Sequence, residues 1–462
     1  MDAPWLGDAC SLVDAFRQGE LSPVEALDAS LAAIDASTLN AVSFLDADAA
    51  RAAAAKADVS LPFGGVPVGV KELTDVAGWP ATDASVPLRD RVSAHDAVLV
   101  ARLREAGAVL AGMTTASEFG GVNFTRTKLN GTTTNPWQAD RTPGGSSGGS
   151  SAAVSGGLLP LCTAGDGGGS IRIPAAFTGL PGLKCTYGRI PKAPHVALGN
   201  LTGVTGVLCR SVRDIARSLD VANGAHPRDP LSLPRIEGWE ASLGSSSTSG
   251  LRAAVVLDFG GAVVDDEVAF LVEEAADALI RDAGMQRVSV APALPSMGTA
   301  WALSGAAGIL LELGDRWPAC ADDLTPQIRY LLEIAGDRYD LAGRVHLEER
   351  RVELVEAMAD VFEHADVVLT PTCPDVAFPA DGWEVPVRIG DRTADTSNHG
   401  ALTIPANTYG NPGVSIPAGL VRGLPVGLQV MARHHREDLL LDLALLAERE
   451  RPWPLVAPGA PV

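Results

Sequence analysis

The stretch PGGSSGGSSAAVSGGLLPLCTAGDGGGSIR, residues 143–172, decides how this chain is read. Two glycine–serine clusters, 144–151 and 165–170, flank an apolar run. A flexible linker would not lead straight into Ala152-Ala153-Val154 and Leu158-Leu159-Pro160-Leu161, which belong in a core. A phosphate loop needs a lysine after its second glycine, and none lies near. Residues 144–148 match G-x-S-x-G, the nucleophile elbow, but that motif follows a buried strand and Gln138–Pro143 cannot be one. A Ser–Asp–His triad on Ser146, with His195 or His399 downstream, stays formally open. No lysine has a serine three residues before it, so the S-x-x-K dyad is absent.

The same stretch predicts a short helix at about 147–155, a Gly156-Gly157 stop and a strand over 158–163. A helix of ~9 residues rises ~13 Å and a strand of ~6 residues runs ~20 Å, so the return brings both clusters close. Ser146 and Ser170 can then face each other across one site. Gly167, Gly168 and Gly169 precede Ser170 without side chains, so their amides can converge on one spot as an oxyanion hole. Two serines need a base. No histidine shares a motif with either cluster, and His434-His435 reads as a solvated turn. Lys71 ends the apolar strand 67–70, where burial would lower its affinity for a proton. A surface lysine lying along the strand end is the competing reading.

Outward from this stretch, helix and strand patterns alternate. Ser22-Pro23-Val24-Glu25 is a capping box, with Leu27, Leu31 and Ile34 following at helical spacing. Helices are predicted over 46–57, 96–106, 266–282 and 437–448, with long helical pattern across 300–364. Strands are predicted over 108–111, 253–257, 367–371, 413–416 and 427–431. The expectation is an α/β fold, one mixed sheet flanked by helices on both faces. SLGSSSTSG, 242–250, is read as a surface loop between two halves of one domain spanning 1–462. The formal charge of −20 disfavours nucleic acid and anionic membrane as partners. Six scattered cysteines without a C-x-x-C pair indicate reduced, buried thiols rather than disulfides or a metal site. Met1-Asp2-Ala3-Pro4 lacks a signal-peptide pattern and no apolar run approaches ~18 residues, so a cytoplasmic address is expected.

These residues together resemble the amidase signature family of serine hydrolases. The resemblance rests on Gly69-Val70-Lys71-Glu72-Leu73, Asn135-Pro136-Trp137, Pro143–Gly149 and Gly165–Pro174. It continues through Gly182-Leu183-Lys184, Thr370-Pro371-Thr372 and Gly423–Gln429, in family order over nearly the whole chain. It implies a signature core over 60–200 and a Ser–Ser–Lys triad without metal or organic cofactor. Ser170 would be the nucleophile, Ser146 the proton relay behind a cis peptide bond, and Lys71 the base. Ser147, Asp166 and Arg172 would support the loop, and Ser147 could instead bond Lys71. Met113, Phe119, Ile173 and the helical region Trp301–Leu311 would line the pocket, which favours a neutral hydrophobic or aryl amide, ester or carbamate. A monomer or homodimer is expected.

The family usually has Asp-Thr-Gly-Gly-Ser where this chain has Asp166-Gly167-Gly168-Gly169-Ser170, which should loosen the loop. Two alternatives accompany this reading. One is the glutamine-hydrolysing subunit of a tRNA-dependent amidotransferase, which usually carries glutamine where this chain has Ile173. The other is an inactive binding protein, which would be expected to lose a triad member.

Overall fold

In the computed structural model, residues 4–194, 201–338 and 340–461 are described. Two main ladders use β1 (Val42–Leu45), β2 (Pro67–Lys71), β3 (Val109–Thr114), β4 (Leu161–Asp166), β5 (Gly182–Lys184), β6 (Val204–Cys209), β7 (Arg252–Val255), β8 (Gln286–Val288), β9 (Val367–Pro371), β10 (Gly413–Val421) and β11 (Leu424–Ala432). The first ladder has the order β1-β3-β2-β4-β6, and the second β8-β7-β9-β11-β10-β5. In the first, β3, β2 and β4 run parallel, with antiparallel strands at both edges. The expected mixed sheet is thus present as two ladders, whose edge strands β5 and β6 lie side by side.

Local chemistry explains most elements. Ser22 caps the helix Pro23–Ala36 with Glu25 reaching back to the Ser22 amide at 2.8 Å. The helix Asp266–Asp282 and strand β9 have the bounds the sequence predicts. The strand expected over 158–163 instead occupies 161–166, since Pro160 has no amide to give a ladder and pairing starts only after it. The long helical pattern is split into Gly298–Leu313, Pro326–Arg338 and Leu341–His364, the first ending at Gly314 with φ 53°. Segment 242–250 forms turns held by the Gly244 and Ser246 amides on Asp442, at 2.6 and 2.7 Å. All six cysteines are buried and unpaired. Among the described residues no helix is long and apolar enough to cross a membrane.

The site follows from the first ladder. Because β2 and β4 are parallel neighbours with Gly69 opposite Cys162, Lys71 and Gly165-Asp166 end at the same edge. The helix Gly148–Ser155 runs back against this sheet and begins at that edge. It is held by the Gly149 amide on the Thr115 carbonyl (3.0 Å) and by the Ser150 hydroxyl on the Thr163 carbonyl (2.8 Å). Gly149 has no room for a side chain: a Cβ there would lie 2.4 Å from Thr115 N and 2.5 Å from its carbonyl oxygen. Backbone on both sides prevents relaxation. Gly149→Ala should therefore lower unfolding stability by about 2–3 kcal/mol in urea titrations. Gly336→Ala, in the helix Pro326–Arg338 with open space around it, should leave stability equal or higher by up to ~1 kcal/mol. Equal midpoints for the two variants would contradict the close helix–strand approach.

Candidate active site

Strand β2 is buried along its whole length and carries Lys71 to its end, 3% exposed. The Lys71 amide donates to Thr163 Oγ1 on the neighbouring strand at 2.9 Å, which fixes its backbone. Its Nζ donates to the hydroxyl oxygens of Ser146 and Ser147, each at 2.8 Å. No carboxylate touches the amine among the described residues. Burial pushes Lys71 down to about 7, against the opposing pull of Asp166 and Glu72.

Ser146 follows a cis Gly145–Ser146 peptide bond and is 3% exposed. Ser147 is fully buried, with its hydroxyl donating to the Gly165 carbonyl at 3.2 Å. The hydroxyl proton of Ser147 is thus committed, and its oxygen can only accept from Lys71. The proton of Ser146 remains available.

Ser170, 9% exposed, lies two residues before the helix Arg172–Thr178. It lines the same cleft as Lys71 and Ser146, a space of about 1220 Å³. Among the described residues no hydrogen bond joins Ser170 to Ser146. The loop before Ser170 is held from within by Asp166. Its Oδ1 accepts the Gly169 amide at 2.7 Å, and its Oδ2 accepts the Ile171 amide at 3.2 Å. Arg172 completes a two-point pair with the same carboxylate at 2.9 and 3.0 Å, both side chains fully buried. Burial pushes the Asp166 carboxyl up, but the Arg172 charge and hydrogen bonds from Arg172 and Asn407 outweigh it and hold it well below the usual carboxylate range.

Of the three glycine amides expected to face a carbonyl oxygen, that of Gly169 is therefore used inside the loop. Those of Gly167 and Gly168, and that of Ser170 itself, have no acceptor among the described residues. The missing side chain at 167 is offset from outside. Trp301 Nε1 donates to the Gly167 carbonyl at 2.6 Å, and Thr403 Oγ1 to the Gly168 carbonyl at 2.7 Å. Gly169, at φ +126°, could not carry a Cβ, which would lie 2.5 Å from Thr403 Oγ1.

The pocket candidates divide. Phe119 and residues of the helix Gly298–Leu313 line the cleft. Met113 is buried in β3 and Ile173 beneath Gly169, both within the apolar core and not on the cleft wall. The reason is local: the β2–β3 pairing shifts register between Leu110 and Gly112, so Met113 packs in the core cluster of Leu110 and Val70, and residue 173 is packed behind the loop. His399 is buried with Nε2 on the Pro386 carbonyl, away from the cleft, and His195 lies outside the described residues. Asn407 and Gln429, which bond Arg172 at 2.6 and 2.5 Å, were not foreseen from sequence. Gln429 left a trace, a lone polar residue in the apolar run of β11.

This geometry meets its counterparts in known proteins. The protein-family model "Amidase" matches residues 25–441. The chain is 35% identical to a glutamyl-tRNA(Gln) amidotransferase subunit of Roseiflexus sp. (strain RS-1), over 97% of each chain. It is 33% identical to an acylamidase of Rhodococcus erythropolis, over 97% of this chain and 96% of that one. Among solved structures, a bacterial aryl acylamidase of the amidase signature enzymes superposes with a TM-score of 0.91, at 26% identity and 98% coverage of both chains. With this match along its length and a lysine–serine–serine cluster at its sheet edge, the chain belongs to the amidase signature family of enzymes that hydrolyse amide C–N bonds.

Proposed function

We propose that this protein is a stand-alone serine amidohydrolase that cleaves an amide with an apolar or aryl body through Ser170, Ser146 and Lys71. The observation that carries the reading is the buried Lys71 amine, 2.8 Å from Ser146 Oγ and without a carboxylate contact among the described residues. In its neutral form the amine directs one N–H to Ser147 and its lone pair to the Ser146 hydroxyl. Lys71 takes the Ser146 proton as Ser146 takes that of Ser170, and Ser170 Oγ bonds to the amide carbon. The carbonyl oxygen becomes negative beside the Gly167, Gly168 and Ser170 amides, which are fixed before reaction and need no reorganisation. The C–N bond breaks as Ser146 passes a proton to the departing amine. Water then adds to the acyl-enzyme by the same proton path, giving the acid and restoring Ser170. The reading extends to esters and carbamates, whose carbonyl carbons accept the same attack.

Leu73, Phe119, Trp301, Ile309, Leu311 and Leu331 give the cleft its apolar wall, which supports an apolar or aryl substrate. The glutamine-hydrolysing component of an amidotransferase is the second reading, favoured by the identity of such relatives. Against it stands Ile173, where that component usually presents glutamine. Hydrolysis of p-nitroanilides by the purified chain alone supports the first reading. Glutaminase activity appearing only with added partner subunits would overturn it.

Two outcomes are expected. A fluorophosphonate should label Ser170, seen as a single adduct on the peptide that contains it, and Ser170→Ala should abolish labelling. An adduct on Ser146 would reverse the two roles. Because the base must be unprotonated, anilide turnover should rise with pH through about 7 and then level off. Lys71→Ala should cut anilide kcat/KM by about 10²–10⁴ and lose this ionisation. Aryl ester turnover should fall less, because a phenoxide leaves without a proton. An unchanged anilide profile in Lys71→Ala would place the base elsewhere.

A further inference from the structure

Among the described residues three permanently cationic or amine side chains line the cleft, and two are committed. Lys71 is bonded to the serines, and Arg91 is paired with both Asp83 and Glu312. Lys192 differs. Its backbone amide is fixed on Asp229 Oδ2 at 2.9 Å, and Asp229 Oδ1 accepts the Leu231 amide at 3.1 Å, so that carboxylate serves the turn. The Lys192 Nζ has no hydrogen-bond or ion-pair partner among the described residues, yet Lys192 lines the cleft. Burial lowers its pKa while Asp229 pulls the other way.

The amine lies at the end of a path lined by glycine. A Cβ on Gly203 would come within 2.9 Å of Lys192 Nζ, so the amine lies directly over a residue with no side chain. Gly203 in turn lies beside Gly167, whose own Cβ position has nothing nearer among the described residues than the Gly203 Cα at 3.9 Å. A threonine at 167 would fill that space. Among the described residues it is open from the oxyanion loop to the amine, and Gly167, Gly203 and Lys192 all line the cleft.

Resting on the hydrolase reading above, we infer that Gly167, Gly203 and Lys192 form an anion subsite that takes a carboxylate on the arm of the substrate passing the oxyanion loop. A half-buried ammonium whose attracting carboxylate, Asp229, is already held by two backbone amides gains from one further charged acceptor. A monoanion fits better than a phosphate dianion, since the chain carries a formal charge of −20 and the site offers a single cation. The substrate is then apolar in its body and anionic at one end, in place of the wholly neutral amide expected from the apolar wall.

The test uses pairs of alkyl fluorophosphonates over a short series of chain lengths, one of each pair ending in a carboxylate and the other in its methyl ester. The rate of Ser170 labelling is followed by intact-protein mass spectrometry. In the wild type the acid-to-ester rate ratio should reach about ten at one length. In Lys192→Met it should fall to one or below, and in Lys192→Arg it should stay above one. Lys192→Gln serves as the neutral variant if the methionine variant does not fold, as judged by circular dichroism. A wild-type ratio of one or less at every length overturns the subsite, as does a ratio that survives in the neutral variant. In either case labelling of Ser170 leaves the hydrolase reading standing. Labelling by no probe would remove the Ser170 assignment and this subsite together.

Discussion

The site depends on burying one amine among hydroxyl groups without giving it a carboxylate. A lysine in an apolar interior normally captures an acid and stays charged, and a charged amine cannot accept a proton. Two acids stand near Lys71, and both raise its proton affinity. Each is occupied elsewhere. Asp166 is held by Arg172 and Asn407, and the Gly169 amide takes a further bond on the same oxygen as one Arg172 nitrogen. Glu72 accepts the Ala116 amide at 2.7 Å and the Asn130 side chain at 2.8 and 2.9 Å, and burial pushes it up to about 7. Desolvation of Lys71 therefore outweighs attraction.

Arg172 accordingly has two effects through one contact. It shapes the loop before Ser170 by orienting Asp166, and it supplies the countercharge that would otherwise come from Lys71. Its remaining donors end on Gln429 in β11 and on Asn407, so the second ladder anchors the loop of the first. Each polar group in this buried network is matched, as low-dielectric surroundings require. Close glycine contacts set the distances. Gly145 and Gly148 would place a Cβ 2.6 Å from Phe124 N and 2.1 Å from Thr125 Oγ1, so the serine segment is pressed against its neighbours.

Much of this was legible locally. The strand ending at Lys71, the helix between the serine clusters and the capping box at Ser22 all follow from patterns within a few residues. The residues themselves suggested that Lys71, Ser146 and Ser170 could share a site and the resemblance supplied their roles, and all three lie on one cleft. Which of the two readings of Lys71, buried or surface, holds was not legible, because burial arises from β3 and β4 on either side and the helix above. Neither were Trp301 and Thr403, which grip the Gly167 and Gly168 carbonyls from 134 and 235 residues away. Met113 and Ile173 show the same limit. Their apolar character was plain in sequence, but the face they present is set by a strand register shift and by the loop path.

The central claim is that Lys71 is neutral when the enzyme works, and the chain's composition makes it directly measurable. It has five lysines, at positions 56, 71, 128, 184 and 192. Selective ¹³Cε-lysine labelling therefore gives five side-chain signals, and Lys71→Ala identifies one of them. Lys184, also pushed down to about 7 by burial, is assigned in the same way with Lys184→Met. The Lys71 signal is expected to titrate with a midpoint near 7 in the folded protein. A Lys71 signal that keeps its protonated shift up to about pH 10, the range of an ordinary lysine, would contradict the claim.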